Sequence, residues 1–303
     1  HHPDLFWALP GGGGGNFGVV TSYTFRTHAA PTLTLAALRW PWSAAGAVLG
    51  AWQEWGPSAP PELWSSCRLR WEPGVGPTIG IEAVWAESPS GMGPYLDTLT
   101  AMVGTAPSRS VTTKSYLDAA LYLAGCSGLS MSQCRLVTES PAGRLKREAS
   151  LARSDFFDRP ISGDVAHSLL SSIAARGDSA ALAAQEGGVV LDAWGGQIAE
   201  VADDATALPH RQANFLAQEF VTFKTALSDS LMATNRKWLN GVWHGLRPAA
   251  SGFAYVNYID PELPDGLQVY YGANLERLIG VKRAYDPDGL FHIPQGVPIP
   301  NPT

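Results

Sequence analysis

Five consecutive glycines at 11–15, followed by Asn16, Phe17 and Gly18, constrain this chain more than any other stretch. Glycine has no Cβ, so such a run reaches positive φ freely and lets a ligand or a second backbone come close. The run is boxed between Leu5-Phe6-Trp7 and an alternation of Phe17, Val19, Thr21, Tyr23 and Phe25. That alternation predicts a strand with one apolar face. Glycines alone read as a flexible linker. A glycine turn feeding a strand suits the binding of a large, flat, phosphate-bearing ligand.

The rest of the chain predicts helices interleaved with hairpins. Val48, Leu49, Trp52 and Trp55 recur at helical spacing over 44–55 and are stopped by Gly56-Pro57. Residues 63–72 and 78–86 alternate strictly and read as a β-hairpin with a longer loop. Helices are expected over 95–103 and 116–124, and an irregular loop over 125–147. A helix carrying Val165, Leu169, Leu170 and Ile173 ends near Gly177. Strands return at 188–194 and 215–223. Residues 225–246 are helical, with Leu227, Leu231, Trp238 and Val242 toward the core. A strand over 253–260 turns Tyr258 to the side of Val256 and Asp260, away from Tyr255 and Asn257. A helix over 268–285 carries Tyr271, Asn274, Leu275 and Leu278 on one face. The fold class is α+β, an antiparallel sheet covered by helices.

Composition narrows the function. A chain of 303 residues can bury a sizeable core, and 16% charged residues with 11 tryptophans favour a compact enzyme over a disordered tail. The net charge of −6 argues against nucleic acid or an anionic membrane as partner. No apolar run is long enough to span a bilayer. Three cysteines without a CxxC offer neither a zinc site nor a dithiol. Cys67 falls on an apolar strand face, as a core thiol. Cys126 and Cys134 could close a small disulfide or remain two thiols. The seven histidines show no ligand spacing, so no catalytic metal is expected, and no Gly-x-Ser-x-Gly element supports a hydrolase.

Particular segments carry a resemblance. His2-Pro3-Asp4-Leu5-Phe6-Trp7-Ala8-Leu9, the glycines and Asn16-Phe17-Gly18-Val19-Val20-Thr21 resemble the end of the FAD-binding domain in berberine-bridge-enzyme-like oxidases of the vanillyl-alcohol-oxidase superfamily. Tyr255-Val256-Asn257-Tyr258-Ile259-Asp260-Pro261, Tyr270-Tyr271-Gly272-Ala273-Asn274-Leu275 and Asp286-Pro287-Asp288-Gly289-Leu290-Phe291 resemble that family's C-terminal segment in order and spacing. Leu191-Asp192-Ala193-Trp194-Gly195-Gly196 and the stretch around His210-Arg211 match more weakly, and His210 reads as a satisfied structural histidine.

The resemblance implies an FAD-dependent oxidoreductase that oxidises a secondary alcohol of a sugar or glycosylated natural product to a carbonyl, with O2 reduced to H2O2. Tyr258 would take the hydroxyl proton with Asp192 as its helper, while hydride passes to the flavin. Gly13, Gly14, Gly15, Asn16, Gly18 and Val20 would touch the cofactor, as would Tyr271 and Asn274, the latter at the polar edge of the isoalloxazine. It also implies three regions: 1–33 as the end of the FAD domain, 34–247 as the substrate domain, and 248–303 returning to the FAD domain. The family's N-terminal half has no counterpart here, Pro10 stands where relatives usually carry arginine, and Gly266 replaces a frequent aromatic. The chain by itself is therefore expected to carry little or no FAD and to self-associate through the uncovered surface. A truncated, flavin-free relative acting as a binding module or a repurposed non-redox protein is the competing reading. A small-molecule substrate is the expected partner, and a secreted or a cytoplasmic location is left open.

Overall fold

A computed structural model describes residues 2–27, 29–223 and 228–299. Seven strands form one sheet in the order β4-β1-β3-β2-β6-β7-β5, antiparallel throughout. They are β1 (Leu33–Trp40), β2 (Leu63–Glu72), β3 (Gly76–Trp85), β4 (Ser108–Lys114), β5 (Ala149–Phe157), β6 (Glu186–Ala193) and β7 (Phe215–Phe223). The helices are α1 (Pro3–Ala8), α2 (Ala45–Trp55), α3 (Met92–Val103), α4 (Tyr116–Leu123), α5 (Gly163–Ala174), α6 (Ala180–Ala183), α7 (Asp229–Leu246), α8 (Gly266–Tyr271) and α9 (Leu275–Tyr285).

Each strand's alternation sends one set of side chains to the helices and the other to the opposite face. Leu38, Cys67, Leu69, Ile81, Val189, Leu191, Phe215 and Ala217 form the core with α2, α3, α5 and α7. Trp52 lies at its centre, fully buried, its ring tilted onto Phe215 and its Nε1 donating to Ser65 Oγ at 3.0 Å. Phe157 stacks on Phe215 at 5.0 Å. Cys67 belongs to this core, and burial pushes its thiol up. On the opposite face α4 covers only the β4–β1 end, through Leu33, Leu35 and Ala119. The middle of that face is left to polar side chains.

A second core joins the two ends of the chain. Trp7, Ala8 and Phe17 pack with Val256, Tyr271, Leu278, Val281 and Val297, along with Ala207 and, from α7, Trp243. The 203–207 loop is tied in by Trp7 Nε1 donating to the Asp204 carbonyl at 2.7 Å and by Ala207 N–H donating to the Trp7 carbonyl at 3.1 Å.

The sheet and its covering helices follow the sequence pattern, with these corrections. The strand expected from the alternation at 17–25 does not form: residues 18–27 run without ladder pairing, and Val19, Tyr23 and Phe25 are 79%, 70% and 75% exposed. A strand needs a neighbour for its N–H and C=O groups, and no described segment lies beside this one. The strand expected at 253–260 is replaced by an edge contact and a turn. Ser251 N–H donates to the Phe156 carbonyl and Phe156 N–H to the Phe253 carbonyl, at 2.8 and 3.0 Å; the chain then folds back, with Tyr258 N–H donating to the Tyr255 carbonyl at 2.9 Å. The helix expected over 268–285 is interrupted at Gly272, whose φ of 48° and ψ of −128° break the spiral. β1, β4 and β5 were not foreseen; β4 is an exposed edge strand of Ser, Thr and Lys with no apolar alternation to read. The hairpin loop is shorter than its sequence suggests, with Glu72 already paired to Gly76. Cys126 and Cys134 are joined as a disulfide, resolving the two alternatives. Leu227, expected toward the core, lies outside the described residues; α7 begins beyond it, with Ser228 Oγ capping the Leu231 N–H.

Candidate functional site

Tyr258 stands at the end of the 255–258 turn over the open sheet face at β7 and β5. Its ring meets Tyr255 edge-on at 5.3 Å, and Tyr255 meets Trp194 edge-on at 5.4 Å. Phe156 and Leu216 close the floor. Tyr255 and Tyr258 therefore share one wall, where an extended strand would have pointed them apart. The turn is held from both sides. Ser154 Oγ accepts from Tyr255 N–H at 3.0 Å, and Asn257 Nδ2 donates to Tyr255 Oη at 2.8 Å. Beyond it, Asp260 forms a buried ion pair with Arg153 at 2.9 Å, and its N–H donates to Tyr270 Oη at 2.8 Å. Tyr258 also borders a cavity of about 360 Å3 that reaches Gln218, Arg236 and Asp260.

Asp192 projects from β6 onto the same open face, opposite to buried Val189 and Leu191, and its Cα pairs across the ladder with Leu216. Burial raises its carboxyl to about 6, while the charge of Arg68 pulls the other way. Burial also raises the Tyr258 phenol, and the negative charge of Asp192 raises it further. The two predicted catalytic residues are thus brought together. Asp192 ionises near neutrality and Tyr258 remains a phenol there. Such a separation of two neighbouring groups is how sites divide acid and base roles.

The glycine loop lies against the C-terminal segment. Gly13, Gly14 and Asn16 line a cleft of about 230 Å3 with Tyr271, Val256, Asn257 and Gln295. Its glycines differ in what they accommodate. A Cβ on Gly11, at φ of 102°, would sit 2.4 Å from the Leu208 nitrogen, and one on Gly12 would sit 2.2 Å from the Ala8 carbonyl oxygen. These two serve chain packing. A Cβ on Gly14 would meet nothing within 4 Å, so this residue faces free space. Gly15 abuts Ile293 at the cleft's rim, whereas Gly18 and Val20 lie on the exposed 18–27 segment, outside the cleft.

Several polar groups implied as cofactor contacts already have protein partners. Asn16 Nδ2 donates to the Gly12 carbonyl and its Oδ1 accepts from Val297 N–H, both at 2.8 Å. Tyr271 Oη donates to the Gly12 carbonyl at 2.8 Å, and burial pushes its phenol up to about 12. Asn274 Nδ2 donates to the carbonyls of Asp203 and Thr206 at 2.8 and 3.2 Å. Asn274 thus turns its amide donors inward to the 203–206 loop. His210 is structural: its Nε2 lies 2.9 Å from the Tyr270 carbonyl, it stacks on Phe253, and burial lowers it to about 4.

Sequence reasoning missed Lys282. Its ammonium is buried and donates to the Asn16 carbonyl at 2.6 Å, to Asp286 at 2.5 Å and to the Phe291 carbonyl. One side chain so fastens glycine loop, helix end and C-terminal tail. The Lys–Asp spacing of four on a helix was the available signal. Also missed were Arg68 and Glu82 on the open face, and the aromatic wall, of which Trp194 stood within a matched segment. Among the described residues no cluster of His, Cys, Asp or Glu is arranged to hold a metal.

An antiparallel sheet with helices on one face, a polar opening on the other and a strap returning to a glycine loop is the architecture in which known proteins can be compared with this chain. Residues 254–298 match the family described as berberine and berberine like. The chain is 31% identical over 307 residues to an uncharacterized FAD-linked oxidoreductase of Bacillus subtilis, YgaK, covering 98% of this chain and 60% of that protein. It superposes on Physcomitrella patens BBE-like 1 with a TM-score of 0.83 at 23% identity, over 99% of this chain and 61% of that one. A chitooligosaccharide oxidase gives 0.79 at 23% identity, over 97% and 61%. Over nearly its whole length the chain is thus similar to berberine-bridge-enzyme-like FAD-linked oxidoreductases. It spans about 60% of the length of the relatives it matches.

Proposed function

We propose that the flavoprotein containing this chain oxidises a secondary alcohol, of a sugar or glycosylated natural product, to a carbonyl while O2 becomes H2O2. The observation that carries this reading is the placing of Tyr258 beside Asp192 at an aromatic-walled opening of the sheet face. The chitooligosaccharide oxidase among its structural neighbours supports the sugar class.

The residues fit FAD at one place. Gly13 and Gly14 present backbone to the cleft, and the open side of Gly14 admits a flat ring that a Cβ would crowd. Gly13, Gly14, Asn257 and Gln295 would hold it. FAD, when bound, supplies hydride acceptance and electron transfer to oxygen. The chain's own residues handle the proton. As the alcohol carbon gives up its hydride, the hydroxyl proton moves to the Tyr258 oxygen, and Tyr258 gives its own proton toward Asp192. A phenol with a raised pKa is a poor base alone, so the carboxylate is the group that completes the transfer. The aromatic wall excludes water from one side of this relay.

Tyr258→Phe in the intact flavoprotein should slow flavin reduction by about 10²–10⁴-fold. An unchanged reductive half-reaction, measured by stopped flow with a substrate found by peroxide screening, would remove Tyr258 from the mechanism. Because the acceptor must be ionised, flavin reduction should rise with pH through about 6 and then level. Asp192→Asn should flatten that rise.

A further inference from the structure

The open face carries one more ordered arrangement, in the row of the ladder that holds Asp192. Across the strands, Glu82 of β3 pairs with Ser66 of β2, and Ser66 pairs with Asp192 of β6. Two ladder spacings, about 10 Å, separate the backbones of the two carboxylates. Arg68 lies two residues along β2 and on the same face, but its side chain folds back into that row. Its Nε donates to Ser66 Oγ at 3.3 Å, and its Nη2 sits 2.7 Å from Glu82 Oε2. The guanidinium is thereby held at Glu82, in the same row of the ladder that carries Asp192. A guanidinium carries five N–H donors in a rigid fork, so it retains donors beyond those two.

We propose that Arg68, clamped by Glu82 and Ser66, is a positioning residue that keeps Asp192 in its carboxylate form beside Tyr258. The inference rests on the alcohol-oxidation reading for its purpose, though not for its geometry. Asp192 faces Arg68 from β2, Glu82 one strand further, and Tyr258 and Tyr255 from the turn above; β7 presents uncharged Leu216 and Gln218 on this side. Of these groups only Arg68 favours the ionised form. Glu82 serves to hold that guanidinium in place, and Arg39 stands 3.9 Å from its other oxygen, so the charge of Glu82 is shared between two arginines. An arginine suits the task because its fork can hold one carboxylate while its charge acts on a second.

The ionisation of Asp192 can be read directly, without any turnover. Isotope-edited infrared spectra of the purified 303-residue chain with labelled aspartate, subtracted against Asp192→Asn, follow this one carboxyl through a pH titration. The wild-type midpoint is expected near 6. Arg68→Met should move it upward by about 1–3 pH units, whereas Arg68→Lys, which keeps the charge without the fork, should move it less. Arg68→Gln serves as a second neutral variant if the methionine variant fails to fold. A midpoint that stays put in a folded neutral variant, or that moves as far in the lysine variant, overturns the proposal. The oxidation reading fails separately, if Asp192→Asn leaves flavin reduction in the intact flavoprotein intact whatever the midpoint does.

Discussion

At the scale of single residues, Lys282 shows how a charge becomes structural. It sits 2% exposed in an apolar cluster, and an unpaired ammonium there would be costly. Asp286 and two carbonyls from distant parts of the chain compensate it. The ammonium in turn holds the Asp286 carboxyl below its usual range, helped by Leu290 and Phe291 N–H groups. Lys282→Met should therefore lower the thermal midpoint and expose the 287–297 tail to protease before the sheet, which limited proteolysis with mass mapping would check. The glycine loop offers a matched pair of variants. Gly11→Ala places a side chain against backbone at a positive φ and should destabilise by more than about 1 kcal/mol. Gly14→Ala should leave the melting curve unchanged and diminish flavin capture in the intact flavoprotein. Equal melting effects for the two would contradict the division of roles. Glycine identity was legible in the sequence. Which glycine faces open space and which faces Leu208 was not, because that depends on a loop some two hundred residues away.

Among elements, β5 and β7 hold an unusual pair of carboxyls on the helix side of the sheet. Glu219 is fully buried, and neither oxygen finds a well-aligned donor; Asp155 is buried with one oxygen on Arg247 at 2.5 Å and the other unpartnered. Burial raises both, Asp155 to about 7, and the charge of Asp155 raises Glu219 further, while Arg247 and Arg153 pull both the other way. A carboxyl raised on folding binds its proton more tightly in the native state. Its contribution to stability is complete below the unfolded value near 4 and declines as pH rises through about 7. Chemical denaturation at several pH values should show that decline, and Glu219→Gln, which keeps the neutral shape, should flatten it. A wild-type stability that instead climbs over this range by the amount removed in the variant would reverse the sign. In α2 the strongest test is Trp52→Ala, which empties the centre of the core and leaves Ser65 Oγ without its donor; about 3–5 kcal/mol is expected. The helical and strand periods of α2, β2, β3, β6 and β7 were plain in the sequence because each buries one regular face. β4 was not, since its edge position asks nothing apolar of it.

For the whole molecule, cofactor retention follows from how the polar groups are used. Asn16, Tyr271 and Asn274 donate to the protein's own carbonyls, so few side-chain donors remain at the cleft. Each remaining hydrogen bond contributes roughly 0.5–1.5 kcal/mol net, against about 4–15 kcal/mol of lost translational and rotational freedom. The 303-residue chain purified alone should therefore carry FAD at well below one per chain, by absorbance after denaturation. Stoichiometric flavin would show that the backbone of the cleft suffices. Exposed Val19, Tyr23 and Phe25 should at the same time promote self-association, seen as concentration-dependent mass in light scattering.

From its residues alone the chain determined an α+β sheet with helices on one face, the glycine turn and the segments that carry the family resemblance, Tyr258 and Asp192 among them. Period, turn chemistry and motif are local properties, and local properties survive in a one-dimensional string. Tertiary structure alone decided that 253–260 is a turn pinned to the edge of β5, that 18–27 stays out of the ladder, and that the amide donors of Asn274 bind the 203–206 loop. It also decided that Lys282 and Arg68 become anchored charges. Each of these depends on which backbone donors and acceptors a distant segment leaves open, and hydrogen-bond satisfaction in a buried site is settled only when all its partners have assembled.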